Sequence, residues 1–155
     1  GERVIMFRGV NPINLDAKGR MAIPARYRDK ITACCEGQLV ATIDTEERCL
    51  LLYPLEEWEA IQEKIESLSS LNPVTRRIQR LLIGHATDID MDANGRLLLP
   101  GPLREYAELE KKVVLLGQGQ KFEIWSESRW LATREEYLKD AGSAEMPEEL
   151  QNLSL

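Results

Sequence analysis

The chain contains one charged pentapeptide twice, and this repetition restricts the architectures into which it can fold. The first copy is DAKGR at residues 16–20 and the second is DANGR at residues 92–96. A shift of 76 residues superimposes the two copies and their flanking residues, and a shift of 72 residues then superimposes Trp58 on Trp130. Each half of the chain is therefore predicted to be one structural unit. The flanking residues that match are Ile13 and Ile89, Pro24 and Pro100, and Arg28 and Arg104.

The residues on both sides of each pentapeptide have the pattern of a β-hairpin. Apolar and polar residues alternate before it, and a short apolar run follows it. Because such alternation is typical of half-buried strands, each half is predicted to turn at the glycine and to pair these two strands with each other. The Asn-Gly pair of the second copy is expected to supply the two central residues of its turn, since both accept a positive φ. Pro24 and Pro100 are then predicted to begin short helices that end at Ile31 and Ala107.

Further strands and helices are predicted in each half. Residues 54–68 repeat apolar side chains at steps of three and four, which predicts an amphipathic helix. A second helix is predicted from Pro73 to Gly84, and a last helix from the N-cap Ser126 toward Asp140, followed by an acidic tail. The apolar segments predicted to be strands are residues 39–43, 49–53, 113–116 and 121–125.

The composition is that of a globular protein and gives no indication of catalysis. With 43% hydrophobic residues and no apolar run near the roughly 18 residues of a membrane helix, the chain is expected to be soluble and cytoplasmic. A single histidine and three cysteines without C-x-x-C spacing argue against a metal or redox centre. The sequence has no phosphate-binding loop and no G-x-S-x-G motif. We therefore expect no enzyme activity, no cofactor, no metal, no small-molecule substrate and no membrane partner.

The second pentapeptide lies in a sequence that resembles the start of a calcium-binding loop. Residues 90–95 match the opening D-x-D-x-N-G of an EF-hand. The twelfth position of that loop requires a bidentate Glu, and here it is Gly101. The equivalent first copy offers Asn14 and Lys18 instead of acidic ligands. Both observations argue against calcium.

The charge is unevenly distributed along the chain. The net charge is -6, which by itself argues against a polyanionic partner. Residues 6–31, however, carry six cations and two acids, whereas residues 126–155 carry three cations and seven acids. The first pentapeptide therefore lies in a basic segment, and a nucleic-acid partner is compatible with the sequence.

The pentapeptides have the chemistry of a DNA-contacting loop. An arginine just past a tight turn is held near its tip, where the guanidinium can donate two hydrogen bonds to guanine in the major groove. Glycine permits the turn and allows the backbone to approach the duplex, and nearby cations can contact phosphates. The candidate DNA-binding residues are Arg20 and Arg96 for bases, Lys18 and Arg8 for phosphates, and Gly19 and Gly95 for close approach.

Three further loop residues are expected to shape the loops. Asp16 and Asp92 are predicted to accept hydrogen bonds from turn amides, because a carboxylate that faced phosphate would repel it. Asn94 occupies the place of Lys18, which makes the two loops electrostatically unequal. In an alternative interpretation, each arginine only pairs with the aspartate of its own loop, which is worth about 1 kcal/mol at most at a surface. The presence of the motif twice, once within a basic segment, favours DNA binding.

Several longer segments of the sequence resemble the MraZ family of bacterial transcriptional regulators. The segments are MFRG, NLDAKGRMAIPARYR, LLLYPLEEW, RRIQRLLIGHA and MDANGRLLLP, in the family's order. The resemblance covers residues 6–155, and Gly1 to Ile5 precede the usual family start as an expression remnant or an alternative start.

This resemblance implies the fold and its division. It implies an α+β fold of two tandem AbrB-like (SpoVT-AbrB) modules, rich in β-hairpins and packed as a pseudo-dimer within one chain, with peripheral helices. The expected parts are a first module at 10–57, a helical connection at 58–85, a second module at 86–129, and a C-terminal helix with an acidic tail at 130–155.

The resemblance also implies a function. It implies a nucleoid-associated, sequence-specific regulator, expected to be a repressor, of the division and cell-wall gene cluster, its own promoter included. The expected partners are double-stranded DNA with direct repeats and further copies of the chain in a ring, with the DxxGR loops as the contact. The alternatives are a structural or protein-binding ring without a DNA role, and an AbrB-like antitoxin, against which the internal repeat argues because that class carries one module per chain.

Overall fold

Strands and helices follow the same order in both halves of the chain, as the repeat predicts. The computed structural model describes residues 6–140 and 147–153; the predicted start at 1–5 and the tail segments 141–146 and 154–155 lie outside these residues. The elements are β1 Phe7–Asn14, β2 Arg20–Ala22, α1 Ala25–Cys35, β3 Gln38–Ile43, β4 Leu50–Pro54, α2 Leu55–Glu66, α3 Pro73–Ile78, a π-helical turn Gln79–Ile83, β5 Thr87–Asp90, β6 Arg96–Leu98, α4 Gly101–Tyr106, β7 Lys112–Gly119, β8 Phe122–Ser126, α5 Glu127–Asp140 and α6 Glu148–Gln151.

The strands of the two halves interleave in one antiparallel sheet. Its six strands lie in the order β1-β7-β8-β4-β3-β5. The first strand of each half pairs with the third strand of the other half, and the fourth strands, β4 and β8, meet at the centre. Reading the order from either edge gives the same arrangement with the halves exchanged, which is a pseudo-twofold relation. The expected α+β pseudo-dimer is confirmed; the exact domain boundaries stay a prediction.

The predicted hairpins are wrong in their strand pairing. The strand before the first pentapeptide, β1, pairs along its whole length with β7, and the strand after it, β2, pairs with β6 in a separate two-stranded sheet. The chain therefore turns at the pentapeptide but leaves one sheet and enters another. The physical reason is ladder length: β1 and β7 each have eight residues and form a full set of pairs, which the three-residue β2 could not offer.

The hydrophobic core draws on both halves. Phe7 of the first half stacks on Phe122 of the second, with ring centroids 4.2 Å apart. Tyr27 of α1 meets Phe122 edge-on at 5.0 Å. All three side chains are almost fully buried. Such aromatic contacts add to the stabilisation that comes from burial, so buried aromatic side chains of both halves hold the halves together.

The peripheral helices follow the predictions with local differences. Helix α1 continues to Cys35, past the predicted end at Ile31. The helix predicted from Pro73 contains a π-helical turn, whose Leu82 carbonyl accepts a hydrogen bond from the Thr42 hydroxyl at 2.7 Å. Ser126 accepts the Arg129 amide at 3.5 Å at the start of α5, in the N-cap role that the sequence predicts. None of the helices in the described residues is long and apolar enough to cross a bilayer.

Candidate nucleic-acid interface

The two-stranded sheet presents one apolar face to the core and one mixed face to solvent. Met21 and Leu97 pair at its centre and are completely buried. Because side chains alternate along a strand, the residues on either side of them point outward. This outward surface, which we call the ribbon face, consists of Arg20, Ala22, Arg96 and Leu98.

Both pentapeptides form the same turn, one at each end of the ribbon. In the first, the Gly19 amide donates to the Asp16 carbonyl and the Asp16 amide to the Arg20 carbonyl, both at 3.0 Å. Gly19 and Gly95 have φ of 86° and 75°, in the left-handed region that favours glycine. The turn is thus a type I turn followed by a glycine bulge.

The expectation that Asn94 and Gly95 form the centre of the second turn is wrong. The Gly95 amide donates to the Asp92 carbonyl at 3.0 Å, so Ala93 and Asn94 are the central residues. Among the described non-glycine residues, only Glu36 and Glu108 have a positive φ. Asn94 therefore keeps an ordinary backbone conformation, and the glycine alone takes the left-handed one, because a type I turn needs no positive φ at its centre.

Asp16 organises the first loop through three hydrogen bonds. Its Oδ1 accepts the amides of Lys18 and Arg20, both at 2.9 Å, and its Oδ2 accepts Nε of Arg20 at 2.7 Å. These bonds favour the charged carboxylate. The Arg20 amide contributes most to lowering the pKa of Asp16 to about 2.

Asp92 repeats this arrangement in the second loop. Its Oδ1 accepts the amides of Asn94 and Arg96, both at 2.9 Å, and its Oδ2 accepts Nε of Arg96 at 3.2 Å. The Arg96 amide is again the main cause of a lowered pKa for Asp92. The contact between the aspartate and the arginine side chain is longer here than in the first loop. In both loops the aspartate accepts hydrogen bonds from turn amides, as the sequence predicts.

The aspartate contacts orient the two arginines without using up their hydrogen-bonding capacity. The ion pairs of the alternative interpretation exist, but each engages only Nε. Within residues 6–140 and 147–153, the terminal Nη nitrogens of Arg20 and Arg96 make no hydrogen bond to another residue. A guanidinium held through Nε keeps its outer edge available for a second acceptor pair.

Arg20 and Arg96 lie on the same face of the ribbon, although they come from different halves. Arg20 pairs directly with Leu98, and Ala22 pairs directly with Arg96. The two arginines are therefore diagonal neighbours, about 7–8 Å apart at their backbones. The interleaved fold thus brings both predicted base-reading residues to one surface.

Each loop glycine is covered by an arginine of the opposite half. A Cβ added at Gly19 would lie 2.7 Å from Nε of Arg104, and Gly95 is covered in the same way by Arg28. Nε of Arg104 also donates to the Leu99 carbonyl at 2.9 Å. The space beside the glycines, which the sequence analysis assigns to DNA, is thus occupied by protein, and a direct contact of Gly19 or Gly95 with DNA stays a prediction.

Sequence reasoning did not assign Arg28 and Arg104 to the site. Both residues lie in short helices outside the pentapeptides, at matching positions of the repeat. Arg28 donates through Nε to the Ile23 carbonyl at 2.7 Å, as Arg104 does to Leu99. Their match in the repeat was the signal that could have identified them.

The structure places some of the remaining predicted site residues in the loops and one of them far from the loops. Lys18 and Asn94 are exposed at equivalent places in the two loops. Arg8 pairs with Gln118 near the start of β1, six residues before Asn14. Because a strand rises about 3.3 Å per residue, Arg8 lies about 20 Å from the loop end of β1. The structure therefore does not bring Arg8 together with the loop residues.

The sequence matches a known protein family over both halves. The family model MraZ, described as antitoxin-like, matches the chain twice, at residues 6–81 and 82–153. A protein of Halorhodospira halophila is 56% identical over 152 residues, which covers 97% of this chain and all of that protein. Proteins of Alkalilimnicola ehrlichii, 54% identical over 150 residues, and of Coxiella burnetii, 56% identical over 152, match to the same extent. All three are named transcriptional regulator MraZ.

Proposed function

Because the chain belongs to the MraZ family, whose relatives are named transcriptional regulators, we propose that it regulates transcription by binding double-stranded DNA through the ribbon face. The observation that supports this proposal most is that Arg20 and Arg96 are diagonal neighbours on the ribbon face, each oriented by an aspartate. A two-stranded ribbon fits the major groove, and an oriented guanidinium is the commonest reader of guanine there.

The loops at the ends of the ribbon have a supporting role in this proposal. Lys18 is exposed beside Arg20 and contacts a phosphate as a point charge. Asn94, at the equivalent place, offers a neutral amide, so the second loop attracts the backbone less. Arg8 contributes only if the DNA extends well past the first loop.

The binding mode involves several copies of the chain. One ribbon face with a few cations neutralises few phosphates and binds weakly by itself. A ring that presents successive ribbon faces to direct repeats makes each later contact intramolecular, which multiplies the affinity. The family resemblance supports direct promoter repeats, repression of the division and cell-wall cluster with its own promoter, and a nucleoid-associated, cytoplasmic location.

The proposal is tested by fluorescence anisotropy on a duplex that carries the promoter repeats. The double substitution Arg20→Ala and Arg96→Ala is expected to weaken binding by about 30-fold or more, because each bidentate contact is worth about 1–3 kcal/mol. A matched control removes Arg76 and Arg77, two arginines of α3 outside the ribbon, and is expected to bind almost normally. Circular dichroism checks that both variants keep the fold.

Two further measurements separate DNA binding from a ring that only binds proteins. Affinity should fall steeply with salt, and a duplex with one repeat should bind much more weakly than the tandem duplex. Equal affinity of the native and the doubly substituted protein would contradict the proposal and favour the protein-binding alternative. The Trp58 side chain is only 3% exposed, so it offers little surface to a protein partner.

A further inference from the structure

The ribbon face contains a large apolar side chain next to both of its arginines. Leu98 is 56% exposed and pairs directly with Arg20. A single exposed leucine is common on protein surfaces. Leu98 differs because it lies within the surface that we propose for DNA, where its side chain is about 4.5–5.5 Å from that of Arg20 at the Cβ atoms.

The pseudo-twofold relation places a much smaller residue at the equivalent position. Leu98 of the second half corresponds to Ala22 of the first, and the two are diagonal neighbours on the ribbon face. The loops differ as well, with Lys18 in the first half and Asn94 in the second. The first half of the face is therefore more basic and the second half more apolar.

We propose that Leu98 contacts the C5-methyl group of a thymine in the major groove and that Ala22, whose side chain has three carbons fewer, does not reach the equivalent methyl group. This inference rests on the proposed function, because it requires DNA to lie on the ribbon face. Apolar side chains read thymine through this methyl group, which no other DNA base carries. Since Leu98 lies directly opposite Arg20, the thymine belongs to the same or the next base pair as the guanine that Arg20 reads.

The contact gives the ribbon face a direction along the DNA. A strictly twofold face would read a palindrome, in which both halves meet the same bases. A face with a methyl-reading end and a basic end reads a site without twofold symmetry. Copies of the chain that bind in the same orientation then require direct repeats, which agrees with the sites expected for this family.

The test replaces one thymine at a time by deoxyuridine in the duplex with the promoter repeats. This change removes only the methyl group and keeps the base pair. The native protein is expected to lose about fourfold in affinity at one thymine of each repeat, the effect of one buried methyl group. The Leu98→Ala variant is expected to bind more weakly overall and to show no further loss at that thymine.

Two variants complete the experiment. Leu138→Ala changes a leucine of α5 that is 63% exposed outside the ribbon, and it should keep the native sensitivity to deoxyuridine. Ala22→Leu should create a second sensitive thymine in each repeat. This inference alone would be overturned if deoxyuridine had an equal effect in the native protein and in Leu98→Ala. It would also be overturned if no thymine showed an effect while binding stayed tight and dependent on Arg20 and Arg96. Loss of that arginine dependence would overturn the proposed function itself.

Discussion

Arg104 of the second half lies across Gly19 of the first half, and it is fixed there by a 2.9 Å hydrogen bond from its Nε to the Leu99 carbonyl. Leu99 in turn donates its amide to the Gly19 carbonyl at 3.0 Å. Arg28 makes the equivalent contact with Gly95 in the other loop. Each loop is therefore shaped by the half of the chain to which it does not belong.

Because Arg28 and Arg104 each cover a glycine of the opposite half, we expect each of them to affect the dynamics of the loop in that opposite half. Arg104→Ala is expected to speed hydrogen exchange of the amides in loop 16–20 and to leave loop 92–96 at the native rate, because Arg104 covers Gly19 whereas Gly95 is covered by Arg28. Arg28→Ala is expected to have the opposite pattern. NMR hydrogen exchange on the two variants measures this. Equal loosening of both loops in either variant would contradict the cross-half arrangement.

The loop glycines predict a difference in stability between two Gly→Ala substitutions. At Gly19, alanine combines a φ of 86° with a Cβ at 2.7 Å from Arg104, so Gly19→Ala is expected to lower the free energy of unfolding by about 1–2 kcal/mol or more. At Gly84, nothing lies within 4 Å of an added Cβ and φ is helical, so Gly84→Ala should be neutral or stabilising by up to about 1 kcal/mol. Urea denaturation of both variants gives the comparison. A smaller loss at Gly19 than at Gly84 is the opposite of what we expect.

The carboxyl group of Asp16 is expected to have an unusually low pKa. Hydrogen bonds to the carboxylate, led by the Arg20 amide, lower its pKa from 3.8 to about 2. Because the folded-state pKa is the lower one, the stabilisation from this group is complete above pH 3.8 and is lost as the pH falls through about 2. In Arg20→Ala the pKa should rise only part of the way to 3.8, since the backbone amide still donates. Carbon-13 NMR titration of the carboxyl group tests this, and a pKa near 3.8 in the native protein would be inconsistent with the loop geometry.

The interleaved sheet predicts that neither half folds alone as a monomer. A fragment of residues 6–81 contains β1 and β3 but lacks β7, the partner of β1, and β5, the partner of β3. It is expected to be unfolded or to form a dimer in which two copies exchange these strands. Light scattering with circular dichroism distinguishes the states, and co-expression with residues 82–153 should restore one folded complex. A folded monomer of the fragment would show that the pairing between halves is dispensable.

The local elements could be predicted from the sequence because their causes are local. The strands at β3, β4, β7 and β8 and the helices α2 and α5 follow from side-chain periodicity, and Ser126 begins α5 as its N-cap chemistry requires. The repeat predicted two equivalent halves. These features depend on a few residues that are close together in the chain.

The pairing of strands and the ribbon face could not be predicted in this way. Periodicity shows that β1 and β2 are strands, but it carries no information on which distant strand each one meets. Periodicity alone favours pairing between neighbouring strands, whereas β1 pairs with β7 and β2 pairs with β6. The exposure of Leu98 and the cover of Gly19 by Arg104 are consequences of this pairing, so both were missed.

The covalent link between the halves also fixes their stoichiometry. If the two unlike halves were separate chains that exchanged strands freely, they would sort into like pairs and unlike pairs. Because the chain continues directly from residues 6–81 into residues 82–153, each half is at a high effective concentration for the other, so that every sheet contains one of each. The single chain thereby gives a uniform population of sheets from two halves of unlike sequence.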